Sequence, residues 1–460
     1  MRKAGELSER EFREVSLNSD LLPLVFRLGA PLAFYSLFNA FFQLLDTMMA
    51  SHVSSVALSS VSYLSQIQNL ILSLGLGLVA GAAVVMSRSF GEGDFEGVRK
   101  SFGNLMVLLF SVMLLLLVMV PFVPFFLSLL GTPEVFIREG ASYFQVLILS
   151  TVLNLFNNAY ISVERIRGRT RRIMVLNFLV MAIKLSLTWF FVYILESTIV
   201  MIAVSTLISH LFLSVVALIF FRNAGSLFSL RVSFMKPERK TTGNILSLSF
   251  PLMFEKSAFS LGKTIVNSII SAFDPISVGA LGVSTGISGL VTLMQSGFSD
   301  ASTALISQND GDGRSDRVVK CYFSVLILTL TVSLLGTIIL FLFSRPLIHI
   351  FAMGRDGYDA AFENLILQVF RYDLFSCFPL AFNISAFSLI IGKGRTKTAF
   401  FISFCRVYLF RIPLLKYLLA YTSLGNEAVG IVMVVSNTLT AVLSSSIALS
   451  IVVRERRSHE

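Results

Sequence analysis

Long apolar stretches, separated by short charged or turn-rich breaks, run the length of the chain. A helix needs about 20 mostly apolar residues to cross the hydrocarbon layer, and splitting at the breaks gives twelve such segments, at roughly 24–49, 56–87, 102–130, 139–163, 173–195 and 199–221, then 244–272, 277–307, 318–343, 361–391, 399–421 and 427–453. Several exceed the minimum, which leaves room for tilt or bending. The longest polar interruption, 222–243, falls between two sets of six. The pattern predicts an all-α polytopic membrane protein. It has a cytosolic leader (1–23), an N-terminal lobe of six spans (24–221), a cytoplasmic linker (222–243), a C-terminal lobe of six spans (244–453) and a cytosolic tail (454–460).

The breaks differ in charge. Both termini and the breaks at Arg88–Lys100, Arg165–Arg172, Arg222–Lys240, Arg314–Lys320 and Lys393–Lys397 hold about 26 Lys and Arg; the opposite set holds about three, Arg138, Arg345 and Arg355. Lys and Arg collect on the cytoplasmic side, so both termini are expected there and the span number is even; a plasma (inner) membrane is the expected location. Composition agrees. Of 460 residues 55% are hydrophobic and 14% charged, against about 25% charged in a soluble domain. That excludes a water-soluble enzyme, a disordered chain and a secreted disulfide scaffold. The net charge of +10 is accounted for by the loops, so no nucleic-acid partner is expected. Cys321, Cys377 and Cys405 have neither disulfide nor metal-cluster spacing. The first twenty residues lack an apolar h-region and are not expected to act as a signal peptide.

The halves repeat at an offset of about 220 residues, far longer than a solenoid period. Pro31-Leu-Ala-Phe34 answers Pro251-Leu-Met-Phe254, GEGDFEGVRK at 91–100 answers GDGRSDRVVK at 311–320, and Gly168-Arg169-Thr170 answers Gly394-Arg395-Thr396. Six spans per half start both halves on the same side, so the two six-helix lobes should be related by a pseudo-two-fold along the membrane normal, the architecture of an alternating-access carrier. No nucleotide, nucleophile or His-rich motif supports catalysis, and an enzyme is not expected.

Several segments carry a family resemblance. Gln43-Leu-Leu-Asp46-Thr-Met-Met-Ala50 resembles the first-helix signature of the multidrug and toxic compound extrusion (MATE) transporters. Leu187-Thr-Trp-Phe-Phe-Val-Tyr193 and Pro251-Leu-Met-Phe-Glu255 resemble the fifth and seventh helices of its NorM-type branch. Gly279-Ala-Leu-Gly-Val-Ser-Thr-Gly-Ile287, followed by Leu305-Ile-Ser-Gln308, resembles the eighth helix and the loop after it. The resemblance covers nearly the whole chain. It implies cation-driven export of organic, mostly cationic amphipathic compounds by rocking of two lobes, with H+ or Na+ as coupling ion, no other cofactor, a small-molecule substrate, a lipid surrounding and a monomeric state.

Ionisable side chains inside a bilayer cost about 2.5–3.5 kcal/mol each on insertion scales, so they mark where function should be sought. Asp46, in the outer half of the first span, is either an interfacial carboxylate or, as the resemblance implies, the proton or sodium carboxylate. Pro31, fifteen residues earlier, and Pro251 in the second half are helix-bend candidates. In the fifth span Asn177 is present, but Lys184 and Thr188 stand where archaeal and DinF-type relatives place Asn and Asp. Lys184 and Thr188 share a face at i, i+4. An ammonium near Asp46 would favour the carboxylate and occupy the place of a sodium ion, which suggests an Asp46–Lys184 pair; snorkelling of Lys184 is the alternative. Glu255 is the cation-coupling candidate of the second half, as the NorM resemblance implies. Asp300, Asp373, Lys256 and Lys263 are secondary candidates, with Arg371 a possible partner to the two aspartates. The tenth span lacks the NorM acid around Pro379–Asn383, so protons are favoured over sodium. No metal ligand set is assigned beyond a possible sodium ion. Arg406, Arg411 and Lys416 fit either buried partners or snorkelling chains. The rival function within the same wider group is a flippase for an anionic lipid-linked saccharide, which the bases Arg27, Lys184, Lys256 and Lys263 would suit.

Overall fold

The structure, a computed structural model, describes the backbone of residues 7–51, 55–132, 134–222, 226–230, 234–354 and 357–457, and their side chains except at 42–62, 135, 139, 275, 350, 353–354 and 357–358. In the first half an amphipathic α1 (Glu9–Asn18) precedes α2 (Leu21–Ser51), α3 (Ser55–Glu92), α4 (Phe95–Met119), α5 (Val123–Leu129), α6 (Glu134–Ile166), α7 (Thr170–Trp189) and α8 (Ile199–Phe221). The second half runs α9 (Arg239–Phe273), α10 (Pro275–Gly311), α11 (Ser315–Leu342), α12 (Ser344–Ala352), α13 (Ala360–Phe375), α14 (Cys377–Gly392), α15 (Thr396–Phe404), α16 (Ile412–Tyr421) and α17 (Glu427–Arg457). A two-residue antiparallel pair, Met353–Gly354 with Gly357–Tyr358, joins α12 to α13. The fold is that of an all-α polytopic membrane protein.

Among the described residues ten helices are long and apolar enough to cross a membrane, α4 and α5 counting as one. The bent pair α13 and α14, at 44°, makes an eleventh. The twelfth expected span is α9. It has 35 residues but carries Glu255, Lys256 and Lys263 in its interior, and those charges set it apart from the apolar ten.

Two departures from regular α-helix have local causes. Pro379, lacking an N–H, cannot bond the carbonyl four residues back at Phe375, and the tenth span bends there. The bend is fastened from two neighbours: Gln295 Nε2 of α10 donates to the Cys377 carbonyl at 3.2 Å and to Ser333 Oγ at 2.6 Å, and Ser333 Oγ of α11 donates to the same carbonyl at 2.9 Å. In the eleventh span Pro413 likewise removes a donor, and the preceding segment Cys405–Arg411 is π-helical. The fifth span ends in a π-helical turn as well, Phe190–Ile194.

The chain divides into two compact units, Met1–Val15 with Phe38–Met253, and Ser16–Leu37 with Phe254–Glu460. The first part of α2 thus belongs with the second unit and the first part of α9 with the first. Glycine makes both associations possible. In the second unit a Cβ on Gly297 of α10 would lie 2.2 Å from the Ala33 backbone nitrogen of α2; in the first, a Cβ on Gly77 of α3 would lie 2.5 Å from the Met253 nitrogen of α9. The repeat also appears in the turns: Gly93 and Gly313 have φ of 79° and 73°, Gly168 and Gly394 have 70° and 71°. Pro31 and Pro251 both lie within continuous helices.

Candidate substrate and ion site

In the second unit a cavity of about 370 Å³ opens between α9, α10, α13, the π segment and α17. Its charged lining is Lys263, Arg406, Arg411 and Asp373. Asp373 is 3% exposed, on the last turn of α13 before the bend, and its Oδ2 accepts from Ser288 Oγ at 2.6 Å and Ser284 Oγ at 3.2 Å. These serines sit four apart on α10 and so present one face to it.

The two arginines owe their shared direction to the π segment. Five residues apart on an α-helix, they would diverge by about 140°; one π turn brings them round to the same side. Arg406 Nε and Arg411 Nη2 both donate to Asn437 Oδ1 of α17, at 3.1 and 3.0 Å, and Arg411 Nε donates to Ser436 Oγ at 3.1 Å. Both guanidiniums face Asp373 electrostatically, and Arg406 also faces Glu255. Glu255, half-buried on α9, accepts from Ser403 Oγ of α15 at 2.8 Å. The ring of Phe259 meets two cations, with Arg406 at 5.1 Å and Lys263 Nζ at 4.9 Å from its centroid.

The structure therefore brings Asp373 and Lys263 together with Arg406 and Arg411 in the cavity, and sets Glu255, which does not line it, within electrostatic reach of Arg406. The partners of Asp373 come from α10 and the π segment; Arg371 and Asp300 lie exposed, outside the cavity lining. Lys256 is half-buried and Pro251 is in the first unit, neither lining the cavity.

In the first unit Asn177 is buried, its Nδ2 donating to the Ile173 carbonyl at 2.9 Å. Thr188 is fully buried and shares a 2.7 Å hydroxyl bond with Ser205. Lys184, half-buried one turn before Thr188, acts electrostatically on His210. His210 was not singled out in the sequence. Its Nδ1 lies 2.8 Å from Ser150 Oγ, and its carbonyl accepts from Asn157 Nδ2 at 2.9 Å. Asp46 lies outside the described side chains. Among the described residues no group of three or more His, Cys, Asp or Glu is arranged to hold a metal ion.

A polytopic helical protein with charged groups gathered in a cavity inside its spans is built as a membrane transporter rather than an enzyme. The comparisons with known proteins name the family. The MatE family model matches residues 31–190 and 251–417, and the chain belongs to that family. The probable multidrug resistance protein NorM of Thermotoga maritima is 24% identical over 405 residues, 87% of this chain and 86% of that protein. Among solved structures, a MATE protein in complex with MaL6 superposes with a TM-score of 0.91 at 18% identity, covering 96% of this chain and 99% of that one. A MOP superfamily transporter from Pyrococcus furiosus Vc1 superposes with a TM-score of 0.89 at 18% identity, over 96% and 98% of the two chains. It is described in the words "reverse polarity of binding pocket suggests different function".

Proposed function

We propose that the protein exports amphipathic organic compounds, cationic ones first among them, in exchange for inward-moving protons or, less well matched, sodium ions. It does so by alternating access in a plasma (inner) membrane, as a monomer with both termini cytoplasmic. The observation that carries this reading is the pair of carboxylates inside the spans of the second unit. Asp373 lines the cavity with Lys263, Arg406 and Arg411, and Glu255 beside it acts on Arg406, so with both ionised the set carries three positive charges against two negative. Each proton taken up raises that excess by one. A cationic cargo and a proton thus exclude each other from the set, which is what an exchanger requires. Inward passage of one positive charge across 100 mV releases about 2.3 kcal/mol and each pH unit about 1.4 kcal/mol, enough to drive uphill export. Asp46, paired with Lys184, would do the same in the first unit.

The surplus of cations in the cavity favours a second reading, a cargo with an anionic group, as in a lipid-linked saccharide. Outward movement of negative charge is driven by the membrane potential itself, with no ion exchanged. Efflux from proteoliposomes separates the two. Exchange predicts that an imposed proton gradient drives a cationic dye and that Glu255→Gln abolishes the response. The anion reading predicts that potential alone drives an anionic dye and that Arg406→Gln abolishes it. A carrier driven by neither gradient would sink both.

A further inference from the structure

A second, larger cavity, of about 720 Å³, lies in the first unit, where α1, the turn after α6 and the end of α8 meet. Five arginines line it: Arg10, Arg99, Arg167, Arg169 and Arg172. Two carboxylates stand with them. Glu164, wholly buried, is bridged by Arg167 at 2.7 Å and Arg172 at 3.6 Å. Glu9 meets Arg167 Nε at 2.9 Å, and it also accepts from Ser226 Oγ at 3.0 Å and from the Leu227 amide at 3.1 Å. Five charges against two leave an excess of three, and Arg167 takes up most of both carboxylates. Arg169, the first residue after the Gly168 turn, donates to the Leu7 carbonyl at 3.5 Å. Burial and the neighbouring Arg167 charge hold its guanidinium below the ordinary arginine pKa.

The opposite wall is apolar. Val216, Ile219 and Phe220 of α8 line the cavity, and Ile219 is 67% exposed at the end of a membrane-crossing helix. With Val215 and Leu218, also exposed, it forms an apolar surface running from the mouth of the cavity along α8. A guanidinium cluster thus stands at the end of a membrane-crossing helix, beside a surface suited to acyl chains. The volume falls within the usual range for a small-molecule site of about 300–1,000 Å³.

We propose that this cavity binds the phosphate of an anionic phospholipid headgroup, the acyl chains lying along α8. Arg10, Arg99 and Arg169 make the contacts, because Arg167 and Arg172 are held by Glu164. Guanidiniums pair with phosphate oxygens through parallel hydrogen bonds, and basic pockets facing the cytoplasmic leaflet recognise lipid head groups in this way. The ligand fastens α1 to the turn after α6 and so stabilises the first unit.

The test uses the full-length protein in detergent, titrated with phosphatidylglycerol, phosphatidylcholine or inorganic phosphate, read as the unfolding midpoint and as bound lipid by native mass spectrometry. Phosphatidylglycerol should raise the midpoint and remain bound; phosphatidylcholine and inorganic phosphate should not. Arg10→Ser/Arg99→Ser/Arg169→Ala should weaken phosphatidylglycerol about tenfold or more, with the phosphatidylcholine midpoint little changed. If the triple variant fails to fold, Arg10→Ser/Arg99→Ser, which touches neither carboxylate, should still weaken it severalfold, and Arg99→Lys should lose less than Arg99→Ser. Equal stabilisation by inorganic phosphate or phosphatidylcholine overturns the lipid assignment. Undiminished phosphatidylglycerol binding by a folded variant overturns the site.

Discussion

Asp373 shows how much one side chain holds in place. It sits 3% exposed among two serine hydroxyls and the charges of Arg411 and Arg406. Asp373→Asn keeps the shape and can keep a serine bond, but leaves the guanidiniums facing no charge there. Asp373 touches hydroxyls and acts on the guanidiniums through space, without an ion-pair contact, so the variant should lose about 1–3 kcal/mol and unfold below the wild type in a detergent melt. Asp373→Leu combined with Arg411→Met, which removes both charges, should recover much of the loss. If the double variant melts lower than the sum of the singles, the two are not a compensating pair. The sequence made Asp373, Glu255 and Lys263 visible, because a charge in an apolar run stands out. It did not show their partners. Arg406 and Arg411 were equally conspicuous, but five residues apart they point away from each other on any α-helix. Only the π turn aligns them. His210 carried no signal at all: a single histidine in an apolar span has no spacing to read.

At the scale of the element, the bend in the tenth span and the contact between α2 and α10 can each be tested by one substitution. Gln295→Leu removes the side chain that bonds both the Cys377 carbonyl and Ser333. Ser333 still donates to that carbonyl, so no group is left without a partner and the loss should be about 0.5–1.5 kcal/mol, the net worth of a hydrogen bond, measured as a lowered midpoint. No change would mean the bend is set by Pro379 alone. Gly297→Ala should be costly despite the better helix propensity of alanine, because the new methyl meets the Ala33 backbone at 2.2 Å and the helices must separate. Gly286→Ala on the same helix meets nothing within 4 Å and should gain about 0.5–1 kcal/mol. Opposite signs in paired melts support the close approach; like signs contradict it. The helices themselves were legible from hydropathy, and the turns at Gly93, Gly168, Gly313 and Gly394 from the repeat, since each needs a positive φ. The partners of α2 and α9 were not legible. Hydropathy records that a helix is buried, and only a matching neighbour explains a glycine such as Gly77 or Gly297.

For the whole molecule the decisive element is α9, the charged helix that apolarity alone does not mark as a span. Lys236 is exposed in the basic segment before it, and Thr422 is exposed in the turn between α16 and α17, which carries neither Lys nor Arg. If α9 crosses, five spans separate the two positions and they lie on opposite sides of the membrane; if it does not, four separate them and they share a side. All three native cysteines are buried, so they give little background to a membrane-impermeant maleimide. Lys236→Cys should therefore be protected in intact cells and labelled in inverted vesicles, and Thr422→Cys should show the reverse. The charge asymmetry of the loops demands that result, because removing one span would put the 26-residue set of Lys and Arg on both sides at once. Labelling of both cysteines from the same side would take α9 out of the membrane. Glu255 and Lys263 would then be ordinary surface charges, and the carboxylate at the centre of the proposed exchange would lose its place inside the membrane, which the exchange requires.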